Sequence, residues 1–207
     1  MSNDIWNKKK YALSQRHRRQ LSLQEAYHIK DPDTLQELLW LKRKRFGRKT
    51  DITAWYSENM DEQNIAFILR DNAMFDAFGK YTLEVNGKPI TRYKRHWLRS
   101  FIREKWTIRN PETDEEIMSV EARSWLISII RNFRWLPVLN MFDFFIQFIR
   151  LQFDIYDIKT KNKIGYFDRK FSIGDNYILN FEADNDNILD PMVGVALSVL
   201  LDSGESR

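Results

Sequence analysis

The feature that most constrains the fold is a short segment near the C-terminal end that has no polar face. Residues 192–201 read MVGVALSVLL, and Asp190 and Pro191 before them are typical of a helix N-terminus. A helix that is apolar all round must be buried on every side. At 1.5 Å per residue it covers about 15 Å, roughly half of a bilayer core, so it cannot span one. We therefore predict a helix over residues 191–202 that is enclosed by a ring of strands.

The preceding sequence contains hairpins that could form such a ring. Over residues 81–85, Tyr, Leu and Val alternate with Thr and Glu, and Asn86-Gly87 follows. Asn-Gly is the pair most typical of a two-residue hairpin turn. Comparable strand patterns recur over residues 106–109, 118–122, 151–158, 164–171 and 176–182. Strands at this regular spacing indicate a mainly β domain whose meander closes as a barrel or sandwich, and the apolar helix favours the barrel.

The first quarter of the chain differs from the rest in charge. Residues 1–50 hold 13 Lys and Arg against 5 Asp and Glu, whereas the whole chain has a net charge of +4. Residues 1–33 show little apolar periodicity and predict a basic flexible arm. Thr34 and Glu37 form a capping-box pattern that predicts a short amphipathic helix. We therefore expect an arm over 1–33 and a barrel domain over 34–207, with the arm either solvated or touching an anionic partner.

Composition and motifs argue against catalysis. The chain has no cysteine, which excludes disulfides, zinc–thiolate clusters and thiol nucleophiles. Its three histidines lack metal-ligand spacing, and no nucleophile elbow or glycine-rich phosphate loop is found. We expect a non-enzymatic protein without a cofactor. The first residues carry no apolar signal-peptide core, so we expect a cytoplasmic location.

One run of the sequence combines cations with aromatic side chains. The candidate binding residues in it are Arg92, Lys94, Arg95, Trp97, Arg99 and Arg103. Arg and Lys suit the phosphates of lipid headgroups, and Trp favours the water–lipid boundary. The same residue types bind nucleic-acid phosphates and stack on bases. The alternative is a strand pair with a solvated outer face and its aromatic side chains in the core.

Residues 125–149 are densely apolar and aromatic, and long enough to cross a bilayer. Charged residues lie inside the segment and Pro137 divides it, which disfavours a transmembrane helix. It predicts either a buried strand and helix of the core or an element lying in the plane of a membrane.

An acidic stretch precedes the last helix. Asp184, Asp186 and Asp190 are weak calcium candidates, because calcium needs six to eight oxygen ligands. The pattern of an EF-hand loop is missing, so a solvated loop that caps the helix is the alternative interpretation.

Residues from Leu41 to Asp202 resemble the tubby C-terminal-like superfamily, whose branches include phospholipid scramblases and plant LURP-one-related proteins. The similarity is densest towards the end of the chain. The matching residues are Ile164-Gly165, Arg169-Lys170, Asp175, Tyr177, Leu179, Asp190, Ala196-Leu197 and Leu201-Asp202. The resemblance implies a barrel of twelve antiparallel strands around a central helix.

The sequence therefore supports three hypotheses of function. The first is a non-enzymatic module that binds anionic phospholipid or a membrane surface, peripheral at the inner membrane face. The second is a nucleic-acid-binding protein that uses the basic first quarter. The third is a protein-interaction barrel whose protein partners the sequence does not identify.

Overall fold

Apolar and polar side chains alternate over residues such as 81–85 and 118–122, as a sheet with one buried face requires. A computed structural model describes residues 4–16, 24–44, 51–72, 79–96, 104–123, 152–170 and 176–205. The strands in these ranges are β1 (Lys10–Arg16), β2 (Gln24–Lys30), β3 (Glu37–Lys44), β4 (Ile52–Trp55), β5 (Ile65–Asp71), β6 (Lys80–Val85), β7 (Lys88–Arg95), β8 (Lys105–Arg109), β9 (Glu116–Ala122), β10 (Gln152–Asp157), β11 (Lys163–Arg169) and β12 (Asn176–Asn180).

These twelve described strands form a closed antiparallel barrel in which each strand pairs with its neighbours in sequence. Closure comes from β1 and β12, where Tyr11 lies opposite Leu179 and Leu13 opposite Tyr177. Every described strand therefore has two partners, and none is left as an open edge. The prediction of a mainly β fold with a closed antiparallel barrel is confirmed.

The described residues contain two short 3-10 helices, Ile5–Asn7 and Glu62–Asn64, and a single α-helix, α1 (Pro191–Glu205), which fills the barrel. The carboxylate of Asp190 accepts the N–H groups of Met192 (2.8 Å) and Val193 (3.3 Å), which fixes the start of the helix. Val195 and Leu197, which lie on different sides of the helix, are completely buried. The predicted central helix is confirmed, and no helix in the described ranges is long and apolar enough to cross a membrane.

Two side chains tie the helix to the barrel wall. The hydroxyl of Tyr93 on β7 donates to the carbonyl of Val193 at 2.9 Å. At the other end of α1, the guanidinium of Arg43 on β3 donates to the carbonyl of Ser203 at 3.3 Å. A cation at a helix C-terminus is favoured by the helix dipole. The helix is therefore held at both ends by groups of the surrounding strands.

The predicted hairpin over residues 81–93 is confirmed. Asn86 and Gly87 have φ values of 51° and 75°, and they join β6 to β7 in a two-residue turn. Both residues at the centre of a type I′ turn need positive φ, which Asn and Gly tolerate best.

The prediction of a flexible arm over residues 1–33 is wrong, because β1 and β2 are strands of the barrel. Tyr11 and Leu13 point inwards, and each residue is only 1% exposed. The short alternation that they begin is surrounded by charged residues, which hide it in the sequence. The barrel therefore begins at Lys10 and not at residue 34.

The predicted helix from Thr34 is also wrong, since β3 begins at Glu37. Leu35 has a φ of 60°, a left-handed conformation that cannot continue a right-handed helix. The carboxylate of Asp31 accepts the N–H groups of Asp33 (2.8 Å) and Thr34 (3.2 Å), which forms a turn between β2 and β3.

Candidate anion-binding site

The pleat of β7 separates the cations that the sequence places in one run. Tyr93 points into the barrel and is buried, whereas Arg92 is exposed and Lys94 half-buried on the outer face. Neighbouring residues of a strand point to opposite faces. Arg92 and Lys94 are therefore brought together on the outside of the barrel, as the candidate site requires.

Two cations from adjacent strands join them. Lys80 on β6 lies opposite Lys94, and Arg109 on β8 lies opposite Arg92. Together these residues line a surface hollow of about 330 Å³, which we call the basic hollow. Lys80 and Arg109 were missed in the sequence because they are distant from the basic run. The alternation of Arg109 with Ile108 and Trp106 does indicate that it points outwards.

The polar residues of the basic hollow include one carboxylate. Asp114, in the turn between β8 and β9, lies 2.5 Å from Nη1 of Arg109 and 3.7 Å from Nη1 of Arg92. On the β6 side, the amide of Asn72 donates to the hydroxyl of Thr82. Among the described residues, the lining thus contains four basic side chains and one acidic side chain, which gives a positive potential.

Arg109 is the most strongly held of the four cations. Its Nη2 donates to the carboxylate of Glu116 at 2.6 Å, in addition to its contact with Asp114. This hydrogen bond raises the pKa of Arg109 and lowers the pKa of Glu116. Among the described residues, no carboxylate forms an ion pair with Lys80 or Lys94. These two ammonium groups are therefore the ones most available to an anion.

His96 lies beside the basic hollow, at the end of β7. Its Nε2 is 3.0 Å from the hydroxyl of Thr107 and 3.9 Å from the carboxylate of Glu116. Burial lowers the pKa of His96, and the nearby Glu116 opposes that shift. The imidazole is therefore mainly neutral at neutral pH and adds little to the charge of the hollow.

Arg95 does not belong to the basic hollow, contrary to its place in the predicted set. Its guanidinium pairs with the buried carboxylate of Glu104 at 3.2 Å and lies 6.0 Å from the ring centroid of Trp106. Since Tyr93 points inwards, Arg95 follows on the same side of β7. It has a structural role at the end of the barrel.

The other predicted residues of the basic run, Trp97, Arg99 and Arg103, lie outside the described residues, as do 125–149.

Two of the calcium candidates before α1, Asp184 and Asp190, accept hydrogen bonds from backbone N–H groups. Both oxygens of the Asp184 carboxylate accept N–H groups, from Ile188 (3.0 Å) and Leu189 (2.7 Å). Asp190 caps α1. Within the described ranges, no three His, Asp or Glu side chains are grouped as a bound metal ion would require. The helix-capping alternative accounts for Asp190, whereas Asp184 is buried and holds the loop before the helix.

A second hollow of about 300 Å³ lies on the neighbouring strands and contrasts with the first. Its lining mixes both charges, and Lys105 there pairs with Glu121 at 3.0 Å. Glu116 in the same lining is held by Arg109. Because these charges neutralise one another locally, the second hollow offers no comparable attraction for an anion.

Comparisons with known proteins add no assignment. No protein-family model matches the sequence, and no curated protein matches it either.

Proposed function

We propose that this protein is a non-enzymatic module that binds the anionic headgroups of phospholipids at a membrane surface, and that it does so through the basic hollow. The observation that carries the proposal is the convergence of Lys80, Arg92, Lys94 and Arg109 around one cavity, whose described lining holds a single carboxylate. Arg and Lys are the residues that bind phosphate oxygens best, Arg as a fork and Lys as a point charge.

The position of the hollow supports a ligand that stays anchored in a bilayer. It lies on the outer wall of the barrel, whose interior is filled by α1. A soluble ligand is usually enclosed by most of its surface in a deep pocket, whereas a headgroup has to be reached from outside. A cationic site on the outer wall of the barrel fits the second case.

We further propose that the chain belongs to the tubby C-terminal-like superfamily, in its scramblase and LURP-one-related branch. The closed barrel of twelve described strands around a C-terminal helix supports this proposal, because it is the architecture that the resemblance implies. With it we place the protein in the cytoplasm, peripheral at the inner face of the membrane.

The nucleic-acid alternative receives less support than the sequence suggested. It rests on the basic first quarter, but Lys8 pairs with Asp31 at 2.6 Å and Lys30 with Glu37 at 3.2 Å. Arg43 is buried against the end of α1. These cations stabilise the barrel and its connections, so they form no free polycationic arm within the described residues.

Sedimentation with vesicles tests the proposal. We expect the protein to bind mixed vesicles of phosphatidylserine and phosphatidylcholine at low salt, and not to bind vesicles of phosphatidylcholine alone. The double variant Arg92→Glu/Lys94→Glu should lose most of this binding, since each reversal replaces attraction by repulsion. The control Lys42→Glu/Lys159→Glu changes the net charge equally, but both residues are exposed on other strands or turns. It should bind nearly as well as the parent.

Soluble competitors separate the ligand classes. Glycerophosphoserine is the soluble headgroup of phosphatidylserine. It should compete with the vesicles for the protein only at high concentration, because it lacks the multivalency and the apolar phase of a bilayer. Equal weakening of the two double variants would mean that binding depends only on net charge. If the protein binds a DNA or RNA oligonucleotide and never sediments with anionic vesicles, the lipid proposal is wrong and the nucleic-acid alternative replaces it.

A further inference from the structure

The β6–β7 hairpin extends beyond the strands on either side of it. The last residue pair between β5 and β6 is Ile68 with Glu84, and the last pair between β7 and β8 is Arg92 with Arg109. Residues 85–91 therefore have no ladder partner on β5 or β8 and pair only within the β6–β7 hairpin. A Cβ built on Gly87 at the tip would meet no atom within 4 Å, so the tip stands in open space.

This projecting hairpin carries an exposed apolar side chain. Ile90 is 43% exposed, and Pro89 beside it is also exposed. Thr91, the next residue, is buried and donates its hydroxyl to the carbonyl of Arg109 at 2.8 Å. That contact holds the base of the hairpin against β8, and Ile90 lies two residues before Arg92 of the basic hollow.

Along β7, a cation lies two residues away from this apolar side chain in each direction, while Glu84 lies opposite the neighbouring Pro89. Lys88 precedes it on the tip, and Arg92 of the basic hollow follows two residues later. An apolar group flanked by cations matches the layered chemistry of an anionic membrane, where phosphates lie above the acyl boundary. An acidic protein surface would satisfy the cations but would leave Ile90 in water or against polar groups.

We propose that the tip of the β6–β7 hairpin inserts into the membrane, with Ile90 in the acyl boundary while the basic hollow binds headgroups. This inference rests on the proposed function and adds the orientation of the bound protein. The insertion contributes a part of the binding that salt does not screen, because burial of apolar surface is independent of charge.

Leu35 is a matched control on the same molecule. It is the other exposed large hydrophobic residue within the described ranges, and at 71% it is more exposed than Ile90. It lies in the turn between β2 and β3, near the carboxylates of Asp33 and Glu37. Glu37 is paired with Lys30, but the exposed carboxylate of Asp33 is repelled by an anionic membrane, so exposure alone does not predict that Leu35 inserts.

The absence of cysteine makes a direct measurement possible. Ile90→Cys and Leu35→Cys each carry one thiol, which can be labelled with a polarity-sensitive fluorophore such as NBD. On binding to phosphatidylserine–phosphatidylcholine vesicles, the label at 90 should shift to shorter wavelength and be quenched by nitroxide-labelled lipid. The label at 35 should do neither. Unlabelled Ile90→Ser should bind about fivefold more weakly at high salt, while Leu35→Ser binds as the parent does.

The outcomes distinguish the inference from the proposed function. If vesicles sediment the protein but the label at 90 stays in water, the insertion is wrong and headgroup binding stands. If both labels respond alike, the barrel lies on the membrane in another orientation and the inference also fails. If the protein never sediments with these vesicles, the proposed function fails, and the insertion with it. Capture of an acidic protein in place of vesicles would make the hairpin a protein-docking surface instead.

Discussion

Asp114 should act as an internal competitor for the basic hollow, and its removal should tighten ligand binding. The carboxylate contacts the guanidinium groups of Arg109 and Arg92 in the absence of ligand. A bound phosphate has either to displace this carboxylate from the two arginines or to bind beside its negative charge. Asp114→Asn removes the charge and keeps the size of the side chain. Because Asp114 has a φ of 56°, and Asn adopts positive φ readily, the turn should survive the change.

The magnitude follows from the distances. Exposed ion pairs contribute about 0.2–1 kcal/mol each, so breaking the two contacts of Asp114 costs a ligand about 1 kcal/mol. A phosphate about 4 Å from the carboxylate would be repelled by about 1 kcal/mol more in water. Since part of this is screened by salt, the gain is about 1–2 kcal/mol, or about 5- to 30-fold in affinity at low salt.

Titration of vesicles at constant protein concentration measures this gain, and thermal unfolding provides a second readout. The variant should bind more tightly but unfold at a slightly lower temperature, because it loses the same ion pairs that competed with the ligand. Asp33→Asn is the control, since it changes the net charge equally at the exposed β2–β3 turn. Unchanged affinity of Asp114→Asn, or an equal gain in Asp33→Asn, would refute local competition.

Two further predictions concern the wall and the core of the barrel. Lys80→Glu places a carboxylate opposite Lys94 and replaces repulsion by attraction. The melting temperature should therefore rise by about 2 °C, while vesicle binding weakens. A lower melting temperature would contradict repulsion between the two lysines. Leu197→Asp buries an unpaired carboxylate at a position with 0% exposure, at a cost of several kcal/mol against a total stability of about 5–15 kcal/mol. This variant should be insoluble or lack a cooperative transition in circular dichroism, and a melt close to that of the parent would contradict the enclosed helix.

The strands and the helix that sequence could predict are those with a strong local signal. The alternation in β6, the Asn86-Gly87 turn and the all-apolar sequence of α1 each act over a few residues. The closing strand β1 has a weaker signal, because Tyr11 and Leu13 make a short alternation among charged neighbours. Its partner β12 lies at the opposite end of the chain. Such a pairing is decided by the burial of the whole barrel and not by local pattern.

The candidate site could be predicted only in part for a related reason. The sequence joins Arg92, Lys94 and Arg95 because they are neighbours, but the pleat sends Arg95 inwards to Glu104. Conversely, register brings in Lys80 and Arg109 from other strands. A run of charges in a strand therefore predicts too many site residues on that strand and misses those that adjacent strands contribute.

Cross-strand pairing also explains why the basic hollow is an unusual part of the barrel wall. At other positions opposite residues of adjacent strands carry opposite charges, as with Lys105 and Glu121 or Lys30 and Glu37, although Asp154 and Glu121 are a second place where like charges are opposed. In the hollow, Lys80 faces Lys94, and Arg92 faces Arg109 in the same way. Like charges directly opposite destabilise a sheet, and the barrel could relieve both pairs by single substitutions. Two such pairs side by side lower stability without contributing to the core, which is expected of a surface that is stabilised by an anionic ligand.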